Sequence, residues 1–312
     1  IITIADRLHD LSMIKSNLIT YWCRQVLRSH HHFARTMSLR WAFHYSQWQP
    51  SKEVVARQDD ILVVQHEQLS SDWEWMLAAS CLQKEEANRI SQFMFKRDAK
   101  ASLCGRLLLR KAVHDLLHLP YDRIRFDRTD KGKPVLVGDN SNLSLNVSHQ
   151  GDFTVLSASF QFETGIDVMK VDWLGKEDLD QFFYTMRKQF TDYEWRSIRK
   201  FFTEEEQLEA FYRHWCLKES YVKALGIGIA NDLRAFEFHP QEDDVPEKHL
   251  VAVALRPRDS IDDSSTNTKE NIAAPLVTLS FQDLVSSAVP FNVVDDNYWN
   301  KFSVKSEKPN LA

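Results

Sequence analysis

The sequence predicts an α+β fold built as two similar lobes related by a pseudo-twofold axis. Three observations carry this expectation. The chain has 312 residues, and roughly 150 residues per domain is the usual scale. Two stretches read as long helices: 98–117, whose apolar residues recur close to a 3.6 period, and 204–224, the most aromatic of the chain. A turn and a short strand follow each of them: Ile124-Arg125-Phe126-Asp127 in the first half, Leu233–Phe238 in the second. This weak internal rhyme points to a site at the seam of two related lobes. The boundaries read as an N-terminal extension at 1–37, a first lobe at 38–160, a second at 161–290 and a tail at 291–312.

The elements follow in order. Residues 1–36, with His30-His31-His32, read as a solvated tail, or as untranslated sequence ahead of a natural start at Met37. Leu39–Tyr45 reads as a strand, Ile61–Val64 as a surface loop or short strand, and Trp73–Ser80 as a strand or short helix. Lys84–Gln92 and Asp98–Leu117 are helical, the second ended by Pro120. Short strands follow at 124–126, 135–137, 143–148, 153–159 and 165–169. Residues 182–189 and 191–201 are helical, the latter opened by a Thr191/Glu194 capping box. Gly226 and Gly228 close the aromatic helix 204–224. Strands at 233–238, 250–255 and 276–284, a polar loop at 256–274 and an irregular tail complete the chain.

Composition narrows the function. Hydrophobic residues make up 43% and charged residues 27%, a globular profile. The net charge of −5 argues against a non-specific nucleic-acid partner. Any anion site must come from local clustering of cations. No run of about 18 apolar residues exists, so no membrane partner is expected. The opening segment lacks a basic start with an apolar core. The four cysteines, Cys23, Cys81, Cys104 and Cys216, lie far apart without a C-x-x-C. That spacing suits neither a zinc site nor a disulfide framework and fits a reducing, cytoplasmic setting. The sequons at Asn142 and Asn146 are read as chance.

Four clusters could carry chemistry. Arg128-Thr129-Asp130-Lys131-Gly132-Lys133, with Arg89 upstream, is an anion cradle or a solvated charged turn. Asn146-Val-Ser148-His149-Gln150 invites a hydrolase or a phosphate contact, but there is no G-x-S-x-G elbow. Gly165-Ile166-Asp167 sets a carboxylate in an apolar strand, as an edge residue or a magnesium ligand. Trp215-x-x-Lys218-Glu219-Ser220-x-x-Lys223 puts Glu219 and Lys223 on one helix face, where an i,i+4 pair alone would contribute only ~0.2–0.5 kcal/mol.

In this order the clusters resemble the signature of the 4′-phosphopantetheinyl transferases: G-[IV]-D followed by W-x-x-K-E-[AS]-x-x-K, with Asp167 and Glu219 here 52 positions apart. The Lys131-Gly132-Lys133-Pro134 turn and Asn146-Val-Ser148-His149 match as well. Phe95–Lys100, Gly105-Arg106 and Asp283–Pro290 resemble the animal branch, and the likeness runs over about 38–302. Relative to that branch, 51–72 look inserted and 239–249 shortened.

The resemblance implies holo-[acyl-carrier-protein] synthase activity: transfer of phosphopantetheine from coenzyme A to a serine of an apo carrier domain, releasing 3′,5′-ADP. It implies that Arg89, Arg128, Lys131, Lys133, Ser148 and His149 hold the coenzyme's phosphates, with Thr129, Gly132, Asn146 and Lys218 also in contact. Asp167 and Glu219 would hold Mg²⁺, Glu219 would serve as base, and Lys223 would stabilise charge on the transferred phosphate. Some relatives carry a second carboxylate where this chain has Met169, whose thioether is a poor ligand for hard Mg²⁺. Gln150 is the third candidate ligand, as in the animal branch.

The implied partners are apo acyl carrier domains, of fatty acid synthase and of an aminoadipate reductase-like protein, met by a monomeric enzyme. A basic patch at Arg106, Arg110 and Lys111 would steer them. The rivals are a non-catalytic coenzyme A or carrier-binding protein on the same fold, and a hydrolase using Ser148 and His149.

Overall fold

The computed structural model describes residues 19–23, 61–66, 69, 71–138, 141–172, 178–228, 232–240, 249–257, 276–294 and 296–307. It has the α+β character expected, with helices laid against two main sheets. The readings at Leu39–Tyr45, the histidine run and most of the 256–274 loop lie outside the described residues.

The first lobe is a four-stranded sheet in the order β5 (Ser144–Gln150), β6 (Phe153–Ser159), β2 (Ile61–Gln65), β9 (Leu276–Leu279). The 22-residue α3 (Lys96–Leu117) lies on it and buries Leu103, Leu107 and Leu108. α1 (Asp72–Ser80) and α2 (Lys84–Ser91) pack beside α3, and a small hairpin of β3 (Phe126–Arg128) and β4 (Pro134–Leu136) follows it.

The second lobe carries β1 (Ile19–Cys23), β8 (His249–Pro257) and β7 (Phe162–Lys170), an antiparallel set with β8 central. The 22-residue α6 (Glu204–Leu225) lies on β7 and β8. α4 (Leu179–Met186) and α5 (Asp192–Arg199) close its other side through Phe183, Phe190 and Phe211. The Thr191/Glu194 capping box forms as expected. Between the sheets, Ile61, Val63 and Val155 meet Ile166, Val168 and Val253 in one apolar layer.

Several elements differ from the sequence reading. Ile61–Gln65 is a buried inner strand, because four consecutive apolar residues fill both faces of a central position. Of the two forms expected for Trp73–Ser80, strand or short helix, the helix forms, started by a Ser71/Glu74 capping box. Leu233–Phe238 is not a strand: a 3-10 turn at Leu233–Ala235 runs into extended chain that brings Phe236 and Phe238 against Tyr221. The run 276–284 splits at Ser280, whose side chain caps α7 (Phe281–Val285) in a capping box with Asp283. A strand at Ile19–Cys23, within the expected tail, is rich in β-branched and aromatic residues, as strands are. The C-terminal tail is not irregular either. α8 (Asp296–Ser303) returns to the first lobe, where Phe302 stacks on Trp75 with centroids 3.7 Å apart. The first lobe is therefore completed by the C-terminal end of the described chain, while Ile19–Cys23 at its start joins the second.

Candidate active site

The site begins with a close approach of backbones. Gly165 on β7 sits against α6, and a Cβ there would overlap Ser220 O and Ala224 N and stand 2.9 Å from Ala224 Cα. Only glycine lets the helix come this near. Asp167, two residues on, points to the same side of the strand. Glu219 and Lys223, one helical turn apart, are thus delivered to it.

Lys223 Nζ donates to Asp167 Oδ1 at 2.6 Å and to Ser148 Oγ at 2.8 Å, while Ser148 Oγ donates to Asp167 Oδ1 at 2.8 Å. Asp167 Oδ2 and Glu219 Oε1 are buried with no hydrogen-bond partner. Burial raises the Glu219 pKa above its ordinary value, the Asp167 charge raises it further, and Lys223 opposes both. Two enclosed carboxylates thus feel each other's charge, with Lys223 bonded to one of them.

β5 supplies the opposite wall. β7 is an edge strand, and the side chains of β5 serve its backbone. Ser144 Oγ accepts from Thr164 N at 3.1 Å, Asn146 Oδ1 accepts from Ile166 N at 2.9 Å, and Gln150 Oε1 accepts from Lys170 N. Ser148, the remaining residue on that face, turns instead to Asp167 and Lys223.

A second cluster, of cations, lies beside the first. The 128–133 turn is closed by Thr129, whose Oγ1 accepts from Lys133 N at 3.1 Å, and by Gly132 at φ 82°. Lys133 Nζ reaches Glu163 of β7 at 3.4 Å, and the Lys131 stem lies beside Gly228, just past α6. The first lobe's basic turn therefore touches the second lobe at two places. Arg89, Arg128, Thr129, Lys131 and His149 each keep part of their surface open to solvent. Partial burial and then the neighbouring Arg89 lower the Arg128 pKa. Arg106 is pushed down to about 10, by burial and then by Arg128, with Glu86 opposing. His149 is lowered by enclosure of its ring, then by Lys223. Three guanidinium groups crowded in this way form a ready anion site.

The structure corrects several assignments. Arg110 is fully buried, bonded to Ile124 O at 2.8 Å, Gln83 Oε1 at 2.9 Å and Glu86 Oε2 at 2.8 Å. Lys111 is buried in a pair with Asp115 at 3.1 Å. Neither can steer a carrier, because charges neutralised inside the fold project little field. Arg106 leaves that patch and joins Arg89 and Arg128. No spacing in the sequence relates these three positions; the packing of α3 against its neighbours does.

Lys218 is not in the cleft. Its Nζ donates to Leu233 O at 2.6 Å and Phe236 O at 2.9 Å, pairs with buried Glu194 at 2.9 Å, and lies over the Phe190 and Phe236 rings. A lysine saturated in this way has nothing left for a coenzyme. Lys218→Ala should therefore lower stability by about 3–5 kcal/mol, the usual result of orphaning a buried charge, and leave the coenzyme KM unchanged once the loss of folded protein is counted. Urea unfolding beside steady-state kinetics separates the two. Asn146 and Ser148 are likewise turned inward to β7 rather than out to the cation cluster.

The fold and this pairing of enclosed carboxylates with a cation crowd are those of a group-transfer enzyme handling a phosphorylated substrate. Residues 65–161 match the family described as 4′-phosphopantetheinyl transferase, N-terminal, and residues 163–274 match the 4′-phosphopantetheinyl transferase superfamily. The chain is 38% identical over 303 residues to the L-aminoadipate-semialdehyde dehydrogenase-phosphopantetheinyl transferase of Xenopus laevis, covering 87% of this chain and 94% of that one. Against the Homo sapiens protein of the same name the identity is 37% over 311 residues, covering 87% and 93%. The 4′-phosphopantetheinyl transferase ffp of Bacillus subtilis is 29% identical over 175 residues, 54% of this chain and 74% of that one. The chain belongs to the 4′-phosphopantetheinyl transferase superfamily.

Proposed function

We propose that the chain transfers the 4′-phosphopantetheine group of coenzyme A to a serine hydroxyl of an apo carrier domain, releasing 3′,5′-ADP. The observation that carries this reading is the buried Asp167–Glu219–Lys223 cluster set beside the cation crowd. Arg89, Arg106, Arg128, Lys131, Lys133 and His149 bind the coenzyme's phosphates. Glu219 accepts the serine proton as the new Ser O–P bond forms and the pyrophosphate P–O bond breaks. Lys223 takes up charge on the transferred phosphate. Family membership and the relatives' printed names support the same reaction.

The unpartnered oxygens of Asp167 and Glu219 are a donor set that fits a hard divalent cation. Asp167 and Glu219 would hold Mg²⁺, with the amide oxygen of exposed Gln150 exchanging Lys170 N for it. A bound Mg²⁺ would neutralise pyrophosphate charge and favour departure of the leaving phosphate. Among the described residues no group of three or more His, Cys, Asp or Glu side chains could hold a metal ion, so an amide or water must complete the set.

A carrier-binding protein without catalysis would not need to enclose two carboxylates against each other, which costs stability. A hydrolase on Ser148 is disfavoured because Ser148 Oγ is committed to Asp167 and Lys223, not to His149. The relatives' name supports an aminoadipate reductase-like carrier and a link to lysine metabolism. Fatty acid synthase carrier domains, a holo-acyl-carrier-protein synthase role and a monomeric state are also part of the proposal. Buried free thiols at Cys81, Cys104 and Cys216 support a cytoplasmic setting.

An intact-mass assay with apo acyl carrier protein, coenzyme A and Mg²⁺ tests the reading. The carrier should gain one phosphopantetheine, and EDTA should prevent it. Coenzyme A binding without any mass gain would favour the non-catalytic rival.

A further inference from the structure

We propose that Asn146 is a positioning residue for the Asp167 carboxylate, acting through the backbone of β7. The inference rests on the transfer reading and goes beyond it. Asn146 is buried, and its Oδ1 accepts from Ile166 N at 2.9 Å, one residue before Asp167. Ser144 Oγ accepts from Thr164 N at 3.1 Å, and Gln150 Oε1 accepts from Lys170 N. Three side chains of one strand thus stand where a neighbouring strand's carbonyls would stand.

The exchange has a chemical purpose. Pairing β7 with β5 through backbone would draw the strands to the ~4.8 Å spacing of a sheet. Side-chain rungs hold them further apart. The gap accommodates the Ser148 hydroxyl and the Lys223 ammonium, which meet Asp167 Oδ1 there at 2.8 and 2.6 Å. Asn146 is the rung next to that gap. Remove it, and the Gly165–Ile166 peptide, one residue before Asp167, loses its tie to the first lobe, while Glu219 stays fixed on α6. The two carboxylates then lose their mutual placement, and a placement error of about 1 Å can lower a catalysed rate by ~10²-fold.

The geometry also names the conservative replacement. Ser144 makes the same bond from the same strand, two residues earlier, with a hydroxyl. Asn146→Ser keeps an acceptor at the rung. Asn146→Cys is nearly the same size and a much weaker acceptor. Asn146→Ala has none.

The test titrates Mn²⁺ into wild type and the three variants, followed by electron paramagnetic resonance, with and without coenzyme A. Transfer kinetics and thermal midpoints are measured beside it. Asn146→Ala and Asn146→Cys should weaken Mn²⁺ binding at least 5-fold and lower kcat by 10-fold or more, with the coenzyme KM within 2-fold of wild type. Asn146→Ser should recover most of both. If Asn146→Ala does not fold, the Ser and Cys variants decide alone, and equal Mn²⁺ affinity in those two overturns the inference. A raised coenzyme KM with unchanged Mn²⁺ affinity overturns it in favour of a coenzyme contact. A lowered thermal midpoint with normal Mn²⁺ affinity and kcat overturns it in favour of a purely structural bond. Wild type that transfers phosphopantetheine without binding Mn²⁺ overturns the inference and leaves the transfer reading standing. Wild type that does neither overturns both.

Discussion

Glu219→Gln should cost about 10²–10⁴-fold in transfer, the usual contribution of a positioned general base, and should at the same time raise the thermal midpoint of the metal-free protein. Both effects come from one placement. Glu219 is buried, with one carboxylate oxygen unpartnered and the Asp167 charge nearby, so its folded pKa lies above its ordinary value. The folded state therefore holds the Glu219 proton more tightly than the unfolded chain does. At low pH, where both states keep the proton, the residue is neutral and costs nothing. As pH rises past the ordinary carboxylate pKa and then through the raised one, the enclosed charge becomes a full destabilising load. An amide in its place carries no charge and can donate to Asp167. The difference in midpoint between variant and wild type should thus be near zero in acid and positive at neutral pH. Added Mg²⁺ should close the gap by stabilising wild type more than the variant, since a ligand stabilises the state that binds it. Scanning calorimetry at the two pH values, with and without Mg²⁺, reads all of this. A variant that keeps wild-type transfer rates, or is less stable than wild type at neutral pH without metal, would contradict the assigned role. A site that is strained when empty and relieved when filled is the ordinary exchange of stability for function.

The parts of this site that sequence revealed are those where one residue type at one spacing has a single physical use. Glu219 and Lys223 share a helix face by their spacing alone. The Thr191/Glu194 capping box announces the start of α5, and the short strand expected at 153–159 is β6. Charge was the misleading signal. Arg110 and Lys111 look like an exposed basic patch because sequence does not display their burial: Arg110 is met by Glu86 of α2 and Gln83 just before it, and although Asp115 at i+4 from Lys111 is visible in the sequence, the enclosure of that pair is not. Lys218 misleads in the same way, because Glu194 and the 233–236 carbonyls that saturate it lie on other elements. Arg106 was misplaced for the converse reason, since its anion-site neighbours Arg89 and Arg128 come from other elements. The role of α8 rests on tertiary contacts that no local pattern encodes: Phe302 and Tyr298 on Trp75, and the Tyr298 hydroxyl on Ala87 O. Asn146 belongs to the same class: a polar residue in a strand reads as surface, or as a ligand contact, until the strand it serves is known.

Gly165→Ala tests the backbone approach on which the whole site depends. The added methyl would overlap Ser220 O and Ala224 N, which are helix backbone and cannot swing aside as a side chain would. Either α6 retreats from β7 or the strand bends. Overpacking of this kind costs about 1–3 kcal/mol and sometimes more, and the rigidity of both elements puts this position at the upper end. The chemistry should suffer further than the fold. Asp167 rides on the strand while Glu219 and Lys223 ride on the helix, so a separation of about 1 Å falls directly between the acting groups and should lower transfer by ~10²-fold. Gly105→Ala is the matched control. Gly105 is a mid-helix glycine of α3, and a Cβ there would meet Val147 Cγ2 at 3.4 Å and Thr154 Cγ2 at 3.6 Å, ordinary contacts with side chains. Alanine is favoured over glycine inside a helix by roughly 0.5–1 kcal/mol, so this variant should be as stable as wild type or more so, with its transfer rate unchanged. Denaturant unfolding and single-turnover transfer on both variants make the comparison. If Gly165→Ala transfers at the wild-type rate, the close approach of α6 is not what places the carboxylates. If both variants lose stability equally, the two glycines serve packing alone, and the distinction between helix backbone and side-chain neighbours carries no weight.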